Sequence, residues 1–314
     1  MAEAPLRIPQ LDRRPWLGYS MAVGAALLWA VNGTVVKVLQ VSGEFSSLRL
    51  GEFRNTAAFV LLAAALAVTR RDLLHVRAHE LPFLALFGVA GLAVVQWLYL
   101  VAISRMPIGI ALLIEYIAPV FVALWAVAVL RERVRARVWA ALALALGGLA
   151  AVVEIWHGVA FDGIGLIASI GASFALAGYL LMAEHAVRGR DPVSVICFGF
   201  LFGALFWALI QPWWSFPAHL VDDSVGLLGN LDDVALPAWG LLLYMVVLGT
   251  IAPFWLMVGA LRHASATNVG IVAMLEPVAA SVVAFAWLGE SLGTPQLVGG
   301  LVVLAGIVVA QTAR

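Results

Sequence analysis

Ten long apolar runs dominate the amino-acid sequence and restrict it to one class of fold. The runs cover these residues: 17–39, 46–69, 81–103, 108–130, 137–154, 163–185, 193–212, 236–260, 266–288 and 294–312. A helix that crosses the hydrocarbon core of a bilayer needs about 20 apolar residues, so each run has roughly the required length. The runs do not alternate apolar and polar residues as the strands of a membrane β-barrel do. We therefore predict an all-α integral membrane protein with ten transmembrane helices.

Arginine residues predict which side of the membrane each link faces. With the N-terminus placed inside, the outer links contain only Arg105. The inner segments contain these basic residues: Arg7, Arg13, Arg14, Arg70, Arg71, Arg77, Arg131, Arg133, Arg135, Arg137, Arg188, Arg190, Arg262 and Arg314. Links that are rich in arginine stay in the cytoplasm. The asymmetry predicts cytoplasmic N- and C-termini and a cytoplasmic tail over residues 1–16. We expect a multi-pass protein of a bacterial inner membrane.

The sequence also matches itself when it is shifted along its own length. At a shift of 158 residues, identical residues coincide at these pairs: Gly91 and Gly249, Trp97 and Trp255, Pro119 and Pro277, Glu132 and Glu290, Gly148 and Gly306. Earlier residues match at a shift of 147, and the long link between the seventh and eighth runs can absorb the difference. We therefore predict two homologous five-helix repeats, at residues 17–154 and 163–312.

Five helices per repeat is an odd number, so the second repeat must cross the membrane in the direction opposite to the first. Inverted repeats recur in secondary transporters, whose two halves exchange roles as a central site opens to either side. Residues 212–235 link the seventh and eighth predicted helices. This segment contains Asp222, Asp223, Asp232 and Asp233, and we call it the acidic link. The repeat thus favours a solute carrier.

Composition and motifs argue against several other functions. The net charge is zero, so nucleic acid is not an expected partner. Cys197 is the single cysteine, and no cysteine–histidine pattern suggests a metal site. All six histidines lie at or beyond the ends of the predicted spans, which leaves no catalytic constellation at membrane depth. We therefore predict no enzyme activity and no bound metal.

Short motifs at ordered positions resemble those of the drug/metabolite transporter superfamily, specifically the EamA-type permeases. The motifs are Leu-Arg-Glu-Arg-Val at 130–134, Leu-Gly-Glu-Ser-Leu at 288–292, Leu275-Glu276-Pro277, and the single residues Arg54, Trp29 and Asn32. The resemblance spans residues 17–312 and implies solute transport without a cofactor or ATP, and the chain contains no nucleotide-binding glycine loop. Residues 107–119 are also similar to a segment of the threonine/homoserine exporters in this family.

Glu115 and Glu276 are the first candidates for the transport site. Glu115 is predicted about 12 Å from the outer end of its helix, and Glu276 about 15 Å from the inner end of its own. A charge at this depth costs about 2.5–3.5 kcal/mol, so such residues persist where they face a wet cavity or a partner. The two carboxylates share nearly one helical face relative to Pro119 and Pro277. We predict that they line one cavity and bind an ammonium group or a proton; buried structural carboxyls are the alternative.

Pro119, Pro253 and Pro277 are candidate hinges in the fourth, eighth and ninth helices. A proline lacks an N–H group and displaces the carbonyl four residues before it, which frees one backbone carbonyl in each helix. Freed carbonyls can bind a solute, and the kinks can act as hinges. A static kink that only shapes helix packing is the alternative.

Further side chains are predicted to line the cavity beside these carboxylates: Arg54, Trp29, Asn32, Trp97, Tyr116, Tyr179 and Trp255. Aromatic walls with a few polar groups suit an amphipathic solute, although each aromatic residue could instead face lipid or pack against a neighbour. Arg54 is predicted to line the outer vestibule, close to Arg49 and Glu52, and Glu52 can pair with either arginine. Glu132 and Glu290 are read as structural residues at helix ends.

Taken together, these features predict a secondary active transporter of small metabolites that works by alternating access. The family's usual behaviour favours export of amino acids or related compounds. A multidrug or other-metabolite exporter, an uptake permease and a channel are the alternatives. Expected partners are a small-molecule solute, membrane lipids and protons as a candidate coupling ion. Both a monomer and a homodimer remain open, and the Gly199–Gly203 pair could mark either a dimer face or internal packing.

Overall fold

The computed structural model describes residues 14–106, 108–157 and 162–312, so most of the predicted N-terminal tail and Pro107 lie outside the described residues. Helices dominate it. In chain order, the helices are α1 (Pro15–Val41), α2 (Ser47–Thr69), α3 (Ala78–Ile103), α4 (Gly109–Ala128), α5 (Ala136–Val152), α6 (Gly163–Ala186), α7 (Pro192–Ile210), α8 (Ala238–Ala260), α9 (Ala266–Leu288) and α10 (Thr294–Thr312). Each helix lies within three residues of a predicted run, because the apolar length needed to cross lipid fixes where helices begin and end.

Nine helices among the described residues are long and apolar enough to cross a membrane, rather than the ten that we predicted. The exception is α5, which has 17 residues and is therefore only about 25 Å long. The backbone leaves the helical conformation on both sides of α5. Arg135, just before it, has an extended backbone, and Glu154, two residues after its last residue, has a positive φ of 54°. The structure thus supports a multi-pass membrane protein and leaves the tenth span as a prediction.

Glycines bring α5 into close contact with α10. A side chain at Gly148 would stand 2.6 Å from the carbonyl oxygen of Gly299, and one at Gly306 would stand 2.9 Å from that of Ala141. Only glycine allows two helix backbones to approach this closely. The last helix of each predicted repeat therefore packs against its counterpart, which ties the short α5 firmly into the bundle.

Four of the helices are irregular, and one irregular segment in each recurs close to the shift of 158 residues. A π-helical segment occurs at Phe87–Val94 in α3 and at Val247–Ile251 in α8. The hydrogen-bonding pattern of α4 breaks at residues 116–117, and that of α9 breaks at Met274. Adding 158 to the α3 segment gives 245–252, which contains the π-helical segment of α8, and adding 158 to the α4 break gives 274–275, which includes Met274. The backbone therefore repeats the symmetry that the sequence suggests.

The acidic link contains the principal non-helical structure in the described part of the chain, and this departs from an all-α fold. Strand β1 (Ser224–Gly226) pairs antiparallel with β2 (Ala235–Pro237), so that Val225 faces Leu236 across the ladder. Short 3-10 turns precede and join the strands. The link is too polar and too rich in turn residues to form a helix, so a small hairpin satisfies its backbone groups.

Gly199 and Gly203 of α7 serve packing inside the bundle. A side chain at Gly199 would stand 2.8 Å from Phe87 and Leu92 of α3, and one at Gly203 would stand 2.9 Å from Asn55 of α2. The pair therefore fits the internal-packing interpretation, because its surface is already covered by α2 and α3.

Candidate functional site

Five polar side chains from four helices form a cluster of buried and partly buried groups, which we call the charged cluster. Its members are Arg54 of α2, Tyr99 of α3, Glu115 and Tyr116 of α4, and Glu276 of α9. Glu115 is 9% exposed and Tyr116 is 6% exposed. One arginine and two carboxylates give the cluster a formal charge of −1 when all three groups are ionised. Three charged groups at this depth are costly unless they compensate one another or bind a solute.

Glu276 stands at the centre of the cluster. Its Oε2 atom accepts a hydrogen bond of 2.7 Å from the hydroxyl of Tyr116. Its carboxylate also interacts electrostatically with the guanidinium of Arg54 and with Glu115. The structure therefore brings Glu115, Tyr116 and Glu276 together as the sequence predicted, with Tyr116 fixing the orientation of the Glu276 carboxylate.

The sequence predicts that Arg54 lines the outer vestibule, and the structure places it on α2 within the charged cluster. It is the eighth residue of α2 and so lies about 10 Å from the start of that helix, and its charge faces Glu276. Its Nε atom is buried and has no hydrogen-bond partner among the described residues. Glu52 instead pairs with Arg49, at 2.8 Å. Arg54 therefore keeps one buried donor that no described residue accepts.

Tyr99 is a member of the cluster that the sequence reasoning missed. Its phenol interacts electrostatically with both Glu115 and Glu276. A signal was present, because Tyr99 is the only residue with a hydroxyl group between positions 81 and 103. A hydroxyl group in a membrane span needs a polar partner, so the sequence alone indicates Tyr99 as a candidate site residue.

Each of the three predicted hinge prolines follows an irregular segment of its helix. Pro119 lies just after the break in α4, Pro277 lies three residues after Met274 in α9, and Pro253 follows the π-helical segment of α8. A side chain at Gly270 would stand 2.9 Å from Pro119, so α4 and α9 cross beside their breaks. The broken segments and the charged cluster therefore lie in the same region of the bundle, where a hinge motion would act on the cluster.

An aromatic group links three of the other predicted side chains. Trp29 packs edge-on against Phe254, with ring centroids 5.1 Å apart, and Tyr179 packs edge-on against the same ring at 6.0 Å. Asn32 is buried one turn after Trp29 and lies against Gly249 in the π-helical segment of α8. Its Oδ1 atom has no hydrogen-bond partner among the described residues. These residues form a largely apolar wall in which the Asn32 Oδ1 atom and the Tyr179 hydroxyl have no hydrogen-bond partner among the described residues.

Trp97 and Trp255 lie on the surface of the bundle. They are 39% and 44% exposed, and Trp97 packs edge-on against Phe206 of α7. Their match across the repeat therefore places both on a surface that lipid would cover. The structure does not bring them into the charged cluster.

Two grooves on the surface of the bundle lie away from the cluster. One lies between α1, α8 and Trp287, the other lies between α2 and α8, and both are bordered by Trp239. Their walls are almost entirely apolar, so they offer no group to orient a polar solute. Within the described part of the chain, no group of three histidine, cysteine or acidic residues could hold a metal ion. The charged cluster is thus the better candidate for a solute site.

A family model and individual proteins match the chain over most of its length. The model of the EamA-like transporter family matches residues 16–153 and again residues 163–312. The probable terminal-alkyne amino-acid exporter of Streptantibioticus cattleyicolor is 28% identical, over 89% of this chain and 91% of its own length. The threonine/homoserine exporter RhtA of Escherichia coli (strain K12) is also 28% identical, over 75% of this chain and 72% of its own length.

A solved crystal structure has the same fold. The two structures align with a TM-score of 0.72, which covers 93% of this chain and 96% of the other at 17% sequence identity. At that identity the likeness concerns the fold alone.

Proposed function

The chain belongs to the EamA-like transporter family, as its sequence motifs predicted, and on this premise we propose that it exports amino acids or related compounds across a bacterial inner membrane. It does so as a secondary transporter. The 28% identity to an amino-acid exporter and to a threonine/homoserine exporter supports the solute class. The arginine-rich links support cytoplasmic termini, ten spans and two inverted repeats at residues 17–154 and 163–312.

The single observation that carries the proposal is the composition of the charged cluster. An amino acid presents one ammonium and one carboxylate group, and the cluster presents two carboxylates and one guanidinium. We assign the ammonium group to Glu115 and Glu276, and the carboxylate to Arg54, whose Nε atom has an unused donor. A guanidinium matches the geometry of a carboxylate better than an ammonium group does.

The aromatic wall would hold the solute's side chain. Trp29, Tyr179 and Phe254 offer ring surfaces, and Asn32 offers one amide oxygen to a hydroxyl group. A site of this kind buries the apolar part of a small solute and uses few polar groups to orient it. Pro119, Pro253 and Pro277 act as hinges beside the site, and a proton on Glu115 or Glu276 is the proposed coupling ion.

A screen by thermal stabilisation tests the solute class. A ligand that binds the folded protein at a hundred times its dissociation constant stabilises it by about 2.7 kcal/mol. We expect threonine or another amino acid to raise the melting temperature of the purified protein, and Glu115→Gln to remove that increase. Glu132→Gln is the matched control, because Glu132 is exposed in the link between α4 and α5 and should leave the increase intact.

The screen also distinguishes the alternatives. If amino acids leave the melting temperature unchanged while bulky aromatic or cationic compounds raise it, the protein exports drugs or other metabolites instead. If Glu115→Gln keeps the full increase with amino acids, Glu115 does not bind the ammonium group.

A further inference from the structure

The acidic link is anchored in the bundle rather than lying loosely on it. Val225 and Leu227 are 1% and 5% exposed, and they join a buried apolar cluster with residues of α1, α2 and α8. Phe216 stacks on Phe53 of α2, with ring centroids 5.2 Å apart. Arg49 of α2 donates a hydrogen bond of 2.9 Å to the carbonyl oxygen of Pro212. Burial of this apolar surface fixes the link over the ends of three helices.

The other side of the link holds the C-terminal end of α9. The indole N–H of Trp287 donates a hydrogen bond of 2.8 Å to the carbonyl oxygen of Leu227. Asn230 donates a hydrogen bond of 3.1 Å to the carbonyl oxygen of Ala286. Gly229 has a φ of 60° and lies directly against Leu288, where a side chain would overlap the helix backbone.

An ion pair adds a further contact at the same end of the bundle. The Nζ atom of Lys37, near the end of α1, lies 2.8 Å from an Oε atom of Glu290, which follows α9. The two side chains are about half exposed, at 50% and 52%. An exposed pair of this kind changes an equilibrium by about fivefold or less, and a single neutral hydrogen bond changes it by about two- to tenfold. The contacts are therefore weak enough to break and re-form.

The segment of α9 that these contacts hold has two irregular ends. It begins after the break at Met274, carries Glu276, and ends in the π-helical segment Ala284–Leu288. Such irregular segments let one part of a helix move relative to another. The link thus holds the C-terminal end of the α9 segment that carries the central carboxylate, Glu276.

We propose that the acidic link acts as a lid. Its contacts hold the segment of α9 after Met274 over the charged cluster, and release of these contacts opens the cluster to the outer side. The inference rests on the proposed transport function and on the orientation that the arginine residues predict. In each cycle, the contacts of Trp287, Asn230 and Glu290 break to release the solute and re-form afterwards.

Chemical labelling of one introduced cysteine tests the lid. The background is Cys197→Ala, since Cys197 is the single cysteine and is buried. Ala280→Cys puts the reporter one turn beyond Glu276, on the neighbouring position of the same helical face. A membrane-impermeant maleimide is then added from the outer side of vesicles, and the labelling rate is measured without any solute.

Two glycine variants provide the comparison. Gly229→Ala forces the link away from Leu288 and should raise the labelling rate at least about tenfold, because it disrupts several of the weak contacts together. Gly226→Ala lies in the same link, but its nearest neighbour would be 4.0 Å away, so it should leave the rate unchanged. Equal rates in the two variants would overturn the proposal.

A charge exchange keeps the test decisive if Gly229→Ala does not fold. Lys37→Glu should raise the labelling rate up to about fivefold, and adding Glu290→Lys should return it to the starting value. A double variant that labels as fast as the single variant would reject the ion pair as part of the lid. Labelling needs no solute, so it is independent of transport. If Gly229→Ala raises the labelling rate but the protein transports no amino acid, the lid stands and only the proposed function is refuted.

Discussion

Replacing Glu276 by glutamine is expected to reduce transport about a hundredfold or more. Glutamine keeps the shape of the side chain and can still accept the hydrogen bond from Tyr116, so only the charge is lost. Arg54 then loses the carboxylate with which it interacts electrostatically, and leaving a charge at this depth without its partner costs about 3–5 kcal/mol. Uptake of labelled threonine into proteoliposomes measures the loss. Glu132→Gln, in the exposed link between α4 and α5, should transport normally.

A double variant separates the loss of function from a loss of stability. Arg54→Gln together with Glu276→Gln removes both charges, so it should recover much of the thermal stability that Glu276→Gln loses. It should still fail to transport, because the groups that recognise the solute are gone. A double variant that transports as fast as the unmodified protein would show that the pair is only structural.

Replacing Arg54 by glutamine is expected to change which solutes are carried. If Arg54 binds the carboxylate, the variant loses charged hydrogen bonds worth about 1.5–3 kcal/mol, which weakens amino-acid binding about ten- to a hundredfold. The corresponding amine has no carboxylate and should not lose these bonds. The measured quantity is the ratio of initial rates for threonine and for the amine that lacks its carboxylate.

Arg49→Gln is the matched control for this ratio. Arg49 lies on the same helix, but it pairs with Glu52 and with the acidic link rather than with the charged cluster. Its loss should change both rates by a similar factor and leave their ratio unchanged. If Arg54→Gln also leaves the ratio unchanged, Arg54 does not read the carboxylate.

The positions of the helices could be predicted from the sequence because lipid imposes a simple length and composition requirement on each span. The two central carboxylates could be found for the same reason, since an acidic residue stands out in an apolar run. The predicted fifth span ran two residues past the end of α5 at Val152, because hydropathy does not report where the backbone leaves the helical conformation.

The partners of the charged residues could not be predicted in the same way. Arg54 and Glu276 are more than two hundred residues apart, so their interaction depends on how α2 and α9 pack, which local patterns do not encode. The hairpin of the acidic link was missed for a related reason. Its strands are three residues long, and they are stabilised mainly by Val225 and Leu227 packing onto α1 and α8. Matching of Trp97 and Trp255 likewise reflected repeat symmetry rather than the solute site.

Counterflow in proteoliposomes tests whether the protein is an amino-acid carrier with one central site. Vesicles that contain the protein are loaded with unlabelled threonine and diluted into labelled threonine, and uptake is followed over time. A carrier with one central site exchanges solutes across the membrane. We therefore expect saturable uptake with transient accumulation of label above its equilibrium level. Uptake that rises linearly with concentration and shows no accumulation would indicate a pore and contradict the account. The absence of uptake with threonine and every other amino acid would contradict the proposed solute class.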